Sequence, residues 1–278
     1  MKSLGKTRSS RSRGSHPRMF LGAMAAVFLA AAAPPSSAVE LDEAFLRIEI
    51  NATDGDVGFH GKFDGAPSKL MKIKSPNGAV VYLVQAHAGL KRQGLTENFF
   101  ESAEPTCAEQ PLAAFLLRFP QGTYSFKGKT IDGENLGGEA FLSHALPAAP
   151  DISAFDGSVF APGAPVVIAW APGMDLGNCH DQALVDNNTI PDPAGVQVNS
   201  WELVVEPNVD DAVLEDLGLP RTVFSVQLLP GQLSVTVPPE YLQQYVAEGI
   251  GMFKFEVGAK AGENQTFSEG RFTITLGP

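Results

Sequence analysis

The chain has 278 residues, a formal net charge of −11 and 44% hydrophobic residues, which is enough for one or two domains with a real core. Its 28 glycines and 21 prolines are typical of many short strands and turns rather than of long helices. The acidic balance argues against a nucleic-acid-binding protein, because such a protein needs a basic surface to neutralise phosphates.

Residues 1–38 differ in composition from the rest of the chain. They contain six basic residues and no acidic one, then a small and apolar run over residues 19–33, two prolines, and small residues up to Ala38. This order predicts a signal peptide cleaved after Ala38 or, alternatively, after Ala33. The apolar run has 15 residues, fewer than the roughly 20 that span a bilayer, and an uncleaved membrane anchor is the alternative interpretation.

Cleavage after Ala38 would leave a mature chain with a formal charge of −17, because the leader takes six basic residues with it. Residues 39–148 would carry −4 and residues 149–278 would carry −13. Such acidity usually favours solubility, and attraction for divalent cations or basic partners is the alternative. Without a second long apolar run, we expect no membrane span after signal removal and a periplasmic or extracellular location.

Residues 39–148 predict a β-rich domain with about five or six strands and one short helix. Alternating apolar and polar residues indicate strands at residues 45–50, 69–74, 79–84, 122–129 and 139–143. Pro111 suits the first turn of a helix over residues 111–119, and Pro120 stops it. A Pro/Ala-rich connector at residues 145–150 predicts a domain boundary near Ala148.

Residues 149–278 predict about seven short strands separated by turns, which is typical of a β-sandwich. The strands are expected at residues 151–154, 165–170, 201–206, 223–228, 233–237, 252–260 and 267–275. The predicted fold class is therefore all-β with one short helix, built as two β-sandwich-like domains in tandem after a signal peptide.

Residues 150–278 resemble a fibronectin type III domain. The resemblance depends on Pro150, on Trp170 and Trp201 in early strands, and on the closing segments 253–257 and 267–270. It implies a two-sheet sandwich with Trp170 in its core. The family usually has a tyrosine near the start of the sixth strand, where this chain has Phe253 or Phe255. Residues 48–56 resemble uncharacterised exported bacterial proteins, which implies no activity.

Asn51, Asp54 and Asp56 lie in a glycine-bearing loop and carry the oxygen ligands that Ca²⁺ prefers. The loop lacks the glutamate that closes an EF-hand, since the twelfth position is Lys62, and a plain polar turn is the alternative. The loop over residues 174–199 is long enough to be either functional or disordered.

Cys107 and Cys179 are the only cysteines, and export would permit a disulfide between the two halves, although spacing alone does not establish their distance. The scattered histidines show no zinc-binding spacing, and GxSxG and SxxK motifs are absent.

These features predict an exported, non-enzymatic two-domain protein, a binding or spacer module of the adhesion type with a protein or polysaccharide partner. One alternative is a secreted hydrolase, for example one that acts on polysaccharide, with an accessory fibronectin-type module. A second is a Ca²⁺-stabilised surface component. No cofactor is predicted apart from Ca²⁺ in that second alternative.

If the loop around Asp54 binds Ca²⁺, millimolar Ca²⁺ should raise the melting temperature of the mature chain. A ligand that binds only the folded state stabilises it by about 2.7 kcal/mol at 100 times its Kd. Calorimetry with and without Ca²⁺ measures the shift, with Mg²⁺ as the control. An unchanged melting temperature would count against the site.

Overall fold

The computed structural model describes residues 38–276, so the predicted signal peptide lies outside the described residues. The first half contains β1 (Val39–Glu40), β2 (Glu43–Asn51), β3 (Asp56–Lys74), β4 (Val80–Gln85), α1 (Ala88–Gln93), β5 (Leu95–Glu101), α2 (Leu112–Arg118), β6 (Gly122–Thr130) and β7 (Asn135–Leu142). The second half contains β8 (Val159–Phe160), β9 (Val166–Ala169), α3 (Gln182–Asp186), β10 (Ser200–Pro207), α4 (Asp211–Asp216), β11 (Phe224–Leu228), β12 (Ser234–Val237), α5 (Pro239–Val246), β13 (Met252–Ala261) and β14 (Asn264–Ile274).

The all-β class is confirmed, and the predicted helix is present as α2. The expectation of a single helix is wrong, because four further short α-helices connect strands within residues 38–276. In α5, for example, Pro239 occupies the first turn, where a proline loses no intrahelical hydrogen bond. None of the helices in the described residues is long and apolar enough to cross a membrane.

The long strand β3 organises the first half. Its residues 56–64 pair antiparallel with β2, and its residues 68–74 pair with β6 and β4. The register shifts between Asp64 and Ser68 against β5, so β3 contributes to two sheet segments. Phe63 and Phe126 meet edge-on between these segments with ring centroids 6.5 Å apart, and both are buried. The two segments therefore enclose one hydrophobic core.

Sequence patterns missed residues 56–68 of β3 because glycines, a proline and charged residues interrupt the apolar alternation there. Gly61 shows why a glycine is required in this strand. A Cβ atom at Gly61 would lie 2.7 Å from the Leu46 side chain, and it would also clash with Phe100. The strand therefore uses glycine where neighbouring side chains approach the backbone.

The second half is a β-sandwich of two sheets. One sheet has the order β11-β10-β13-β14 with β8 parallel to β14, and the other pairs β9 with β12. The Trp170 and Trp201 rings meet edge-on between the sheets at 6.1 Å, and both are buried. Phe253 and Phe255 occupy β13, where a fibronectin type III domain usually has a tyrosine. A buried tyrosine is present on α5 instead: Tyr245 accepts a 2.8 Å hydrogen bond from the Thr222 backbone N–H.

The two halves share one sheet. β14 pairs in parallel with β2, with Thr266 opposite Ile50. Asn264 is buried and completes this joint: its Oδ1 accepts the Ile48 backbone N–H at 2.9 Å, and its Nδ2 donates to the carbonyls of Ser143 and Ala145. One side chain thus satisfies backbone groups from β2 and from the connector.

The Pro/Ala-rich connector is largely buried. Leu146 is fully buried in the first core, and Ser268 donates a 2.7 Å hydrogen bond to the Pro150 carbonyl. Contacts group the described residues into a single compact unit that contains two hydrophobic cores. The boundary near Ala148 stays a prediction.

Replacing Asn264 with alanine should lower the free energy of unfolding by at least about 2 kcal/mol, because it leaves buried backbone groups without partners. Chemical denaturation of the wild type and the variant measures the loss. Asn135→Ala removes an exposed asparagine and is the matched control. Equal midpoints for the two variants would show that the joint does not depend on this amide.

Candidate functional site

Three carboxylates surround one buried histidine in the first half. His60 lies on β3, opposite Arg47 of β2 and Glu101 of β5. Its Nε2 lies 2.8 Å from Glu104 Oε1, and its Nδ1 lies 3.7 Å from Glu101 Oε1 and 4.0 Å from Glu49 Oε1. The His60 side chain is only 2% exposed. We call Glu49, His60, Glu101 and Glu104 the His60 cluster.

Strand register explains how these residues meet. Cross-strand neighbours share one face of a sheet, so His60 and Glu101 project on the same side, and Glu49 lies diagonally across β2. Glu104 comes from the segment that follows β5. Gly58 leaves the space that this segment needs, because a Cβ atom there would lie 2.6 Å from His60 Nε2 and would clash with the Glu104 carboxylate.

The electrostatics of the His60 cluster are dominated by burial and by acid excess. Burial raises the pKa of Glu49, and Glu104 and Glu101 add to this effect, whereas His60 and Arg47 oppose it. Burial also raises the pKa of nearby Asp56, with Glu104 and Asp54 contributing. Arg47 is the one arginine in contact with Glu49, at 3.4 Å, and its buried Nε has no partner among the described residues. The arrangement is suited to holding positive charge.

The predicted Ca²⁺ residues form the turn between β2 and β3. Asn51 is buried, and its Oδ1 accepts the backbone N–H groups of Thr53 and Asp54. Its Nδ2 donates to Asp54 Oδ2 at 3.2 Å. The Asn51 side-chain oxygen therefore helps to close the turn, as in an Asx turn. The Ca²⁺ assignment to Asn51, Asp54 and Asp56 stays a prediction.

A disulfide joins Cys107 to Cys179 across the same turn, with their Cα atoms 5.3 Å apart and a sequence separation of 72 residues. The backbone N–H of Cys107 donates to Gly55, and that of Asn178 donates to Ala52. The two cysteine segments thus hold the β2–β3 turn between them.

The long loop over residues 174–199 is packed on the first core rather than projecting from the sandwich. Leu176, Cys179, Leu184 and Ile190 are all buried there. Acidic residues of the loop serve local structure: for example, Asp181 accepts from Ala183 at the start of α3, and Asp192 accepts from Ala194. The loop adds a layer to the first half.

Aromatic residues and cavities give no other converging site in the described part of the chain. Trp170, Trp201 and Tyr124 are buried, so they are core residues rather than a sugar platform. Four surface pockets of about 310 to 500 Å³ are lined by residues outside the His60 cluster. The cluster lies on a sheet face instead of in one of these pockets.

No family model matches the chain, and no curated protein matches it. Solved structures that are similar to it include a bacterial ice-binding adhesin (12% identity, TM-score 0.24), covering 86% of this chain and 66% of that one. They also include the BSP domain of a biofilm-associated protein, with 13% identity and a TM-score of 0.22, covering 84% of this chain and 30% of that one. A titin segment has 12% identity and a TM-score of 0.25, covering 85% of this chain and 66% of that one. The chain spans less than two thirds of the adhesin and biofilm chains, and these scores assign neither family nor function.

Sequence reasoning missed the His60 cluster because its members come from positions 49, 60, 101 and 104, with no recognisable ligand spacing. The strand at residues 95–101 was not predicted either, so nothing indicated that Glu101 and Glu104 lie beside β3. The available signal was Gly58 and Gly61 flanking a histidine within a polar stretch, which indicates close approach of another segment.

Reducing the disulfide should lower the free energy of unfolding by roughly 2–5 kcal/mol, since it releases a long loop in the unfolded chain. Denaturation with and without a thiol reductant measures the change. A variant with both Cys107→Ser and Cys179→Ser should match the reduced wild type and should not respond to reductant. A wild type whose midpoint is unaffected by reduction would contradict the expectation.

Proposed function

We propose that this chain is an exported, non-enzymatic binding or spacer module of the adhesion type, acting in the periplasm or at the cell exterior. Its partner would be a protein or a polysaccharide. The acidic mature chain and the basic, then apolar, leader support export, and the two-sheet β-sandwich of the second half supports a scaffold role. A fold of this type hosts many functions, so the proposal depends on how the two halves are joined.

The observation that supports this role most directly is the rigid joint between the two halves. The β14–β2 pairing, the buried connector and the Cys107–Cys179 disulfide all cross from one half to the other. Enzymes with a cleft between two lobes commonly close by hinge motion, which needs a flexible connection. This chain instead fixes its two surfaces relative to each other, as a spacer or a binding platform requires.

A hydrolase is the second candidate, and the His60 cluster is the observation that favours it. Carboxylates near a histidine could act as general acid and base. The cluster lies outside the four pockets described above. The Ca²⁺-stabilised alternative is tested by the calorimetry with and without Ca²⁺ that is described above.

To test the proposal, the labelled chain should be added to host cells from which its own gene has been deleted. Saturable retention on the cells is expected, and free unlabelled chain should compete. Mass spectrometry of the chain recovered from the host should show loss of residues 1–38 or 1–33. Reduced and heat-unfolded chain is the control, because retention must require the folded surface.

The release of reducing ends from host polysaccharide measures hydrolase activity in the same samples. Turnover by the wild type that disappears in Glu104→Gln would favour the hydrolase. Non-saturable retention equal to that of the unfolded control, or a chain that keeps its leader inside the cell, would overturn the binding role.

A further inference from the structure

We propose that Glu49, His60 and Glu104 bind one divalent transition-metal ion of the Zn²⁺ class. This site is separate from the predicted Ca²⁺ turn, and it does not depend on the binding role proposed above. One nitrogen and two carboxylate oxygens match the ligand types found in zinc sites with three protein ligands and an open position.

The positions of the three side chains support the site. One potential ligand atom from each lies within 4.8 Å of the others. Zinc–ligand bonds of about 2.0–2.2 Å need slightly closer atoms than this. Glu104 is 41% exposed, so its carboxylate can adjust, while Glu49 and His60 are held on paired strands. Binding would therefore require the Glu104 carboxylate to move.

The imidazole at the centre of the site is buried. His60 is 2% exposed, and its Nε2 lies 2.8 Å from Glu104 Oε1. Its Nδ1 lies 3.7 Å from Glu101 Oε1 and 4.0 Å from Glu49 Oε1. Carboxylate oxygens therefore approach both ring nitrogens of one buried imidazole.

The charge around the imidazole is also unbalanced. Glu49, Glu101 and Glu104 approach one imidazole, and Arg47 contacts only the first of them. Carboxylates that are held close together repel one another, and a cation between them offsets this repulsion. A divalent ion supplies that charge, and Glu101 would offer a further oxygen beside the ligand set.

Ligand chemistry selects the class of ion. Imidazole suits Zn²⁺, Cu²⁺, Fe²⁺ and Ni²⁺, whereas Ca²⁺ and Mg²⁺ prefer all-oxygen sites with six or more ligands. The site should therefore discriminate against Ca²⁺. An ion at this position would link β2, β3 and the segment after β5, and so would stabilise the face on which the cluster lies.

Isothermal titration of the chelator-treated chain with ZnCl₂ tests the proposal. One ion per chain is expected, and millimolar Ca²⁺ or Mg²⁺ should not displace it. Outer-shell partners alone contribute 10–100-fold to metal affinity, so Glu104→Gln, which removes a ligand, should weaken binding at least tenfold. This exposed substitution is the principal test because it leaves both paired strands intact. His60→Gln should abolish binding.

Matched controls are Glu139→Gln and His87→Ala, both at exposed positions outside the cluster, and both should bind as the wild type does. X-ray absorption of the zinc-loaded chain should show a single imidazole among oxygen ligands. Absence of binding would overturn the proposal and leave an ion-pair cluster around His60. One-to-one binding that Glu104→Gln does not weaken, or that His87→Ala abolishes, would overturn it too.

Discussion

The amide of Asn264 is the interaction on which the arrangement of the two halves depends. It bonds to the backbone of β2 and of the connector, and it stands at the start of the strand that extends the sandwich sheet into the first half. Backbone groups buried between two layers cannot reach water, so each needs a protein partner. A single asparagine provides one acceptor and two donors at the position where three such groups meet.

The disulfide reinforces the same joint a short distance away. β2 ends at Asn51, which pairs with Phe267 of β14, and the turn that follows lies beneath the Cys107 and Cys179 segments. The covalent bond therefore acts on a region that sheet pairing has already placed. This explains why a loop of the second half contributes Leu176 and Ile190 to the core of the first.

Sequence patterns predicted the second half better than the first, for a physical reason. In the sandwich, apolar alternation matches one buried face, so strands such as β10 and β11 follow directly from residue order. In β3, Gly58 and Gly61 replace apolar residues because neighbouring segments occupy the space above them. The His60 cluster was unpredictable for the same reason, since it depends on the register of β3 against β2 and β5. The connector's composition is typical of an exposed linker, and only packing shows that Leu146 is buried.

The His60 cluster lies in the first half, although the second half carries more of the net negative charge. Residues 149–278 carry most of the negative charge, yet each of their four basic residues makes an ion pair, and Lys254 contacts both Glu256 and Glu269 within 2.9 Å. The remaining acids of that half are mostly on the surface, where water screens them. Around His60 fewer carboxylates are present, but they converge on one buried imidazole. The local density of acidic groups, rather than the net charge of a half, therefore marks the position at which we propose a cation.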